Sequence, residues 1–272
     1  MQYENFITTT LKEAAEIARA KFGHVSGVMK PDDPMQVLTE ADLAVGQFII
    51  SRIKELYPEN NIIDEEAGVI DNGSEFTWII DPIDGTSNFA QGIPTYGIML
   101  GLMRGDKPLA GGTILPSLFN EIVYAEKGFG AFSNSKRINV TSEANLHRLL
   151  ISYAFDYRPK DPEGVLKEAK IISNIASKSL NLRSSNCVFD AILTAEGKYG
   201  ACLNQTSKIW DNIAQDIIIT EAGGIYTDFF GQPMDYSNPL TKTKHNYTYC
   251  AAPSAIHSQL QAIIKPYVFI NS

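Results

Sequence analysis

Carboxylates gather in this sequence at the ends of strand-like runs. Glu65 and Glu66 follow Ile62-Ile63-Asp64, and Asp81 follows the β-rich stretch Phe76-Thr77-Trp78-Ile79-Ile80. Asp84 comes soon after, in Asp81-Pro82-Ile83-Asp84-Gly85-Thr86. Pro82 fixes φ and lacks an N–H, so the chain is expected to bend directly after the strand. Asp81 and Asp84 would then converge from either side of the bend, with the Ile83 carbonyl between them. Gly85 permits close backbone approach, and Thr86 adds a hydroxyl. Hard oxygen donors of this kind suit Mg²⁺, which takes carboxylates, carbonyls, water and phosphate at about 2.0–2.1 Å. Two such ions about 3.5–4 Å apart can clamp the attacking and leaving oxygens of an in-line displacement. A short helix starting at Gly85 would aim free N–H groups at the same phosphate. Each feature alone has a plainer reading: a turn, a solvated glutamate pair, a helix-capping Asp211. Their joint occurrence in this order favours a metal-dependent phosphate site.

The elements that would position these residues follow from periodicity. Phe6, Ile7, Leu11, Ala14, Ala15, Ala18 and Phe22 recur at helical spacing, and Gly23 ends that helix. A second helix is expected from Thr39, whose hydroxyl can cap it, to Tyr57 before Pro58. Its apolar face would hold Leu43, Val45, Phe48, Ile49, Ile53 and Leu56, and 26–36 reads as a loop or hairpin. Strands at 61–64 and 76–80, then several between 95 and 141 broken by Gly105-Asp106, Pro116-Ser117 and Gly128-Phe129-Gly130, predict a mostly antiparallel meander. From about residue 148 the pattern alternates, with strands at 149–153, 180–184, 199–203, 224–227 and 247–251. The helices between and after them fall at 162–177, 188–196, 209–222 and 254–265. The expected fold is α+β passing into α/β. An antiparallel half over 1–145 carries most metal candidates, and an α/β half over 146–272 carries Asp211, in one compact unit.

Composition narrows the function. Among 272 residues, 23 are Lys or Arg and 31 Asp or Glu, a net charge of -8. Such a chain has no electrostatic footprint for nucleic acid or an anionic membrane. A phosphate substrate then requires positive charge from elsewhere, which bound metal supplies. Cys187, Cys202 and Cys250 have no metal or disulfide spacing and read as free thiols of a reducing compartment. The start lacks a signal-peptide pattern and no apolar run is long enough to span a bilayer, so a cytoplasmic location is expected. His24, His147, His245 and His257 lack metal spacing and read as surface residues. No nucleotide-binding glycine motif or covalent-nucleophile motif is present.

Asp64-Glu65-Glu66, then Trp78-Ile79-Ile80-Asp81-Pro82-Ile83-Asp84-Gly85-Thr86-Ser87-Asn88-Phe89, then Trp210-Asp211-Asn212-Ile213-Ala214 with Glu221-Ala222-Gly223-Gly224 resemble the inositol monophosphatase family. The likeness spans nearly the whole chain. It implies a layered αβαβα sandwich and an Mg²⁺-dependent, Li⁺-sensitive phosphatase with two or three ions per site, commonly a homodimer. It also implies Glu65, Asp81, the Ile83 carbonyl, Asp84 and Asp211 as metal ligands, with Glu65 touching a third, weaker ion. Thr86 with Asp42, in Leu38-Thr39-Glu40-Ala41-Asp42, resembles the pair that orients and deprotonates the attacking water. Glu66 takes a supporting role, and the Gly85 and Thr86 N–H groups hold phosphate oxygens; Lys30 stands where members carry a lysine on the loop before Asp42, and reads as solvated surface or, on the resemblance, as a loop-closing residue.

The recognition half departs from the family. Asn204 stands where inositol-specific members carry a glutamate, and Ser185-Asn186-Cys187 replaces a run of small residues; Asp190 does match. Asparagine can bond hydroxyls but offers no charged acceptor. Asn186, Asn204 and Asp211 are therefore the expected substrate contacts. The leading substrate is inositol monophosphate. Histidinol phosphate, fructose 1,6-bisphosphate, NADP and 3′-phosphoadenosine 5′-phosphate are the alternatives that the resemblance brings with it. A non-catalytic regulator binding RNA polymerase or RNA, as some bacterial relatives are, is disfavoured by the net charge and the intact ligand set.

Overall fold

The computed structural model describes residues 1–24, 27–29, 37–118, 121–156, 158 and 160–267. α1 (Glu4–Lys21) and α2 (Glu40–Leu56) form where periodicity places them. Thr39 caps α2: its hydroxyl accepts the Ala41 N–H at 3.1 Å, and the Asp42 carboxylate accepts the Thr39 N–H at 2.8 Å. The buried face of α2 is narrower than expected. Val45, Ile49, Ile50 and Ile53 are covered, whereas Leu43 and Leu56 are 44% and 54% exposed, because a helix resting on a sheet hides only one stripe. Between the helices, β1 (Val28–Met29) pairs antiparallel with β2 (Val37–Leu38).

The next stretch contributes β3 (Asn61–Asp64), β4 (Gly68–Ile70), β5 (Phe76–Asp84), the short α3 (Thr86–Ala90) and β6 (Gly97–Arg104). It continues with β7 (Lys107–Leu115), β8 (Glu121–Glu126), β9 (Gly130–Ser133) and β10 (Lys136–Ile138). These strands form an eight-stranded sheet in the order β10-β9-β8-β7-β6-β5-β3-β4. The expected meander is there, antiparallel at each pairing from β5 to β10, while β3 runs parallel to β5.

Pro82 does not end the strand. β5 continues to Asp84, which pairs with Gly97, while Asp81 pairs with Met99, so the register shifts between them. β5 thus carries one more residue than β6 across this interval, which is a β-bulge. Side chains alternate faces along a strand, so residues three apart ordinarily point to opposite sides. The extra residue restores the match and puts Asp81 and Asp84 on one face. Pro82 is tolerated there because a bulge releases it from the ladder.

After the sheet come β11 (Leu150–Tyr153), α4 (Pro162–Ala176), β12 (Asn181–Arg183), α5 (Phe189–Ala195) and β13 (Ala201–Ser207). They are followed by α6 (Ile209–Glu221), β14 (Ile225–Thr227), β15 (Tyr247–Ala252) and α7 (Ser254–Ile264). This is the alternation expected. The sheet order is β12-β11-β13-β15-β14, with β11 parallel to both neighbours and β15 antiparallel to its own.

Five layers result: α1 and α2, the eight-stranded sheet, α5 and α6, the five-stranded sheet, then α4 and α7. Adjacent positions of β7 show the two faces. A side-chain carbon added at Gly112 would meet Ile7 of α1 at 2.6 Å, and one added at Gly111 would meet Ala214 Cα of α6 at 2.8 Å. α6 belongs to the second half of the chain yet lies against the first half's sheet. His257 is buried rather than at the surface, its Nε2 2.8 Å from Thr227 Oγ1, and burial holds its pKa below the usual imidazole value.

Candidate metal centre and active site

The bulge of β5 and the first turn of α6 meet in the middle of the molecule. Asp81, Asp84 and Asp211 each offer a carboxylate oxygen within 4.8 Å of the others. Asp211 is the third residue of α6 rather than its cap, and its carboxylate reaches back to accept the Lys208 N–H. Asp84 accepts the Val188 N–H at the start of α5. Glu65, the Ile83 backbone, Gly85 and Thr86 line the same cavity of about 180 Å³. Glu65 is held there by the turn after β3, where Asp64 Oδ1 accepts the Glu66 and Ala67 N–H groups at 2.9 and 2.6 Å.

Asp42 stands just behind this wall. It is fully buried, and its Oδ1 lies 3.2 Å from Thr86 Oγ1, which is also 2.8 Å from the Ile83 carbonyl. One hydroxyl proton serves one strong acceptor at a time, so Thr86 can hand its hydrogen bond between the two. Gly85 has φ +87, and a side-chain carbon there would sit 2.9 Å from Cys187 Cβ. Only glycine fits at this position. The first bond inside α3 runs from Phe89 N–H to Gly85 O, which leaves the N–H groups at the start of that turn without a helical acceptor. Asn88 fixes the turn by donating to the Thr95 and Ser185 carbonyls, both at 2.8 Å.

Charge makes the cluster costly without a counterion. Asp81 is pushed well above the usual carboxylate range, first by burial and then by Glu65, Asp84 and Asp211. Burial and Asp211 do the same to Asp84, against the help of the Val188 N–H. Asp211 is raised to about 6 by burial, opposed by the Lys208 N–H. Burial also raises Asp42 to about 6, opposed by Thr39 and reinforced by Glu66. The Asp81 Oδ1 atom is buried without a hydrogen-bond partner, and no Lys or Arg lines the cavity among the described residues. An all-oxygen donor set, crowded and buried, with no Lys or Arg on the cavity wall among the described residues, fits a hard divalent cation such as Mg²⁺. Asp81, Asp84 and Asp211 are the clustered candidates to hold one, with Glu65 and Ile83 on the same cavity wall.

A second cavity of about 130 Å³ opens from the first, sharing Asp84, Asp156, Asn186 and Asp211 with it. Asn204 and Asp190 line it too, but both candidate asparagines are engaged with the wall. Asn186 accepts the Phe155 N–H and donates to Asp156, and the Asn204 oxygen accepts the Thr206 N–H at 2.7 Å. Lys30 lies outside the described residues. Asp156, Thr206 and the Val188 N–H are site features that the motifs did not reveal, and Asn88 lies within a motif that gave it no role. One signal pointed to Asp156: it follows β11 as Asp81 follows the apolar run of β5, an acid where a strand gives out.

A profile of the inositol monophosphatase family matches residues 2–265. The chain belongs to that family. A fructose-1,6-bisphosphatase/inositol-1-monophosphatase of Thermotoga maritima is 33% identical over 84% of this chain and 85% of its own length. The Nus factor SuhB of Pseudomonas aeruginosa is 28% identical over 73% of this chain and 74% of its own. Among solved structures, the Thermotoga maritima IMPase superposes with a TM-score of 0.84 at 28% identity, covering 98% of both chains. The family fold, a layered αβαβα sandwich, is the one described above. No described helix of this family member is long and apolar enough to cross a membrane.

Proposed function

We propose that this chain is a Mg²⁺-dependent phosphomonoesterase that releases phosphate from a small hydroxylated metabolite by direct attack of water. Inositol monophosphate is the leading substrate. The observation that carries the reading is the convergence of Asp81, Asp84 and Asp211 within 4.8 Å of one another. When bound, divalent cations supply Lewis-acid charge to the phosphate oxygens and acidify the attacking water. Asp81, Asp84, Asp211, Glu65 and the Ile83 carbonyl hold them. The Gly85 and Thr86 N–H groups receive phosphate oxygens at the start of α3. Thr86 Oγ1 orients the water, and Asp42, 3.2 Å behind it, accepts the proton. Asp211, Asn186 and Asn204 border the leaving group.

Incubation with myo-inositol 1-phosphate should release phosphate only with Mg²⁺ and be inhibited by Li⁺. Asp84→Asn should lower kcat by about a thousandfold or more while leaving thermal stability in the absence of Mg²⁺ equal or higher, since it removes one of several repelling buried charges. Turnover that survives EDTA would sink the proposal. Two further readings have support in the relatives' names. The Thermotoga relative's name points to fructose 1,6-bisphosphate as a second substrate, and the SuhB relative's name to a factor role that would survive Asp84→Asn.

A further inference from the structure

The cavity that receives the leaving group is negatively charged beyond what metal binding accounts for. Asp156 borders both cavities, yet it falls outside the group of carboxylates that lie within metal-sharing distance of one another. Asn186 Nδ2 donates to its Oδ1 and Thr206 Oγ1 to its Oδ2, so the carboxylate is clamped between β12–α5 and β13. Each oxygen keeps acceptor capacity for a third group. Deeper in the same cavity, Asp190 is 3% exposed; its Oδ2 accepts the Ser185 N–H at 3.1 Å, while its Oδ1 is buried with no hydrogen-bond partner.

No Lys or Arg lines this cavity among the described residues. Two nearby bases, Arg158 and Lys208, have partners outside the cavity wall. Arg158 pairs with the buried Glu168, which also accepts the Tyr153 hydroxyl at 2.9 Å. Lys208 Nζ donates to the Lys244 carbonyl at 3.3 Å. The Asn186 and Asn204 oxygens each accept a wall N–H, which leaves them as weaker, uncharged acceptors beside the Asp156 carboxylate. What the described wall presents to a leaving group is therefore the Asp156 carboxylate, with no Lys or Arg among the described lining residues to meet a second phosphate.

We propose that Asp156 is the specificity-determining residue of the leaving-group cavity, selecting monophosphate esters whose leaving group carries an ammonium group over neutral ones and rejecting those with a second phosphate. The inference rests on the phosphomonoesterase reading but revises its substrate, placing amine-bearing monophosphate esters ahead of neutral ones such as inositol monophosphate. The ammonium would donate to the Asp156 oxygens at one end of the joined cavities, and at the other the phosphate would meet the positive charge that cations held by Asp81, Asp84 and Asp211 supply when bound. A second phosphate at the same end faces Asp156 and Asp190 and is repelled.

Three esters of one skeleton test this: serinol phosphate, glycerol 1-phosphate and glycerol 1,3-bisphosphate, which differ in one amine or one added phosphate. With Mg²⁺, the wild-type kcat/KM should rank them in that order, each step about tenfold. Asp156→Asn should shrink the amine-to-hydroxyl ratio to about one and narrow the gap to the bisphosphate, while Asp156→Glu should keep the ranking. Calorimetric binding of the matching phosphonates should follow the same order. Equal wild-type values for the first two esters, a preferred bisphosphate, or an amine preference that survives Asp156→Asn would each overturn the inference. Phenyl phosphate, whose leaving group carries neither amine nor second phosphate, separates the two levels. If it is cleaved with Mg²⁺ but the ranking is absent, only the role of Asp156 falls; if no ester is cleaved, the phosphatase reading falls and the inference with it.

Discussion

Asp42 and Asp211 occupy the same position in two different helices, the third residue, and each accepts the N–H of the residue before its helix. That placement gives a buried carboxylate a donor and the positive end of a helix dipole. Both are raised to about 6 by burial against the pull of that donor. Farther along α6, Asp216 shows the same burial effect away from the site. Burial lifts it from 3.8 to about 6, against hydrogen bonds from Tyr236 at 2.9 Å and Thr220 at 3.1 Å. Its carboxyl binds the proton more tightly folded than unfolded, so folding takes up a proton between those two values and stability falls as pH rises through them. The loss is at most about 3 kcal/mol. Asp216→Asn should therefore lessen the drop in Tm between about pH 4 and about pH 7, measured by calorimetry at both. A drop as large as in the wild type would refute this. At this scale much of the site was legible, because Glu65, Asp81, Asp84, Thr86 and Asp211 sit in local motifs. Asp156 carried only its place after a strand, and Thr206 no signal, since the parallel pairing of β11 with β13 is what brings them together.

The β5 bulge is an element-scale device that the motif disguised. A Pro after a strand reads as a bend, and nothing local reveals that β6 will keep pairing beyond it. The same limit hid β4, three residues long, whose pairing with β3 depends on the turn carrying Glu65. The hairpin turns and the alternation after residue 148 were readable because glycine, proline and periodicity are local signals. Leu43 and Leu56 misled for the opposite reason: apolar character does not say how wide a stripe the sheet will cover. Immediately after the bulge, Gly85→Ala should cost about 1–2 kcal/mol for its left-handed backbone and about 1–3 kcal/mol for crowding Cys187. Denaturant unfolding should show that loss, and phosphate release should fall with it because the start of α3 must shift. Unchanged stability would mean that the turn relaxes without cost.

Across the whole molecule, the carboxylates come from both halves of the chain, and α6 carries Asp211 while its body rests on the first sheet through Gly111. Cation binding should therefore stabilise the entire fold. At free Mg²⁺ about a hundredfold above its dissociation constant the gain is about 2.7 kcal/mol, a Tm rise of roughly 5–10 °C. Asp84→Asn should abolish that rise, and a rise that persists would place the ion elsewhere. A cation seated there also acts as a rivet through the seam between the two sheets. Amide protons of β5 and β6 should then slow their exchange with deuterium together with those of α6 and β13, although these strands share no hydrogen bond. Occupancy by one small ion would be felt as stiffness on both sides of the seam.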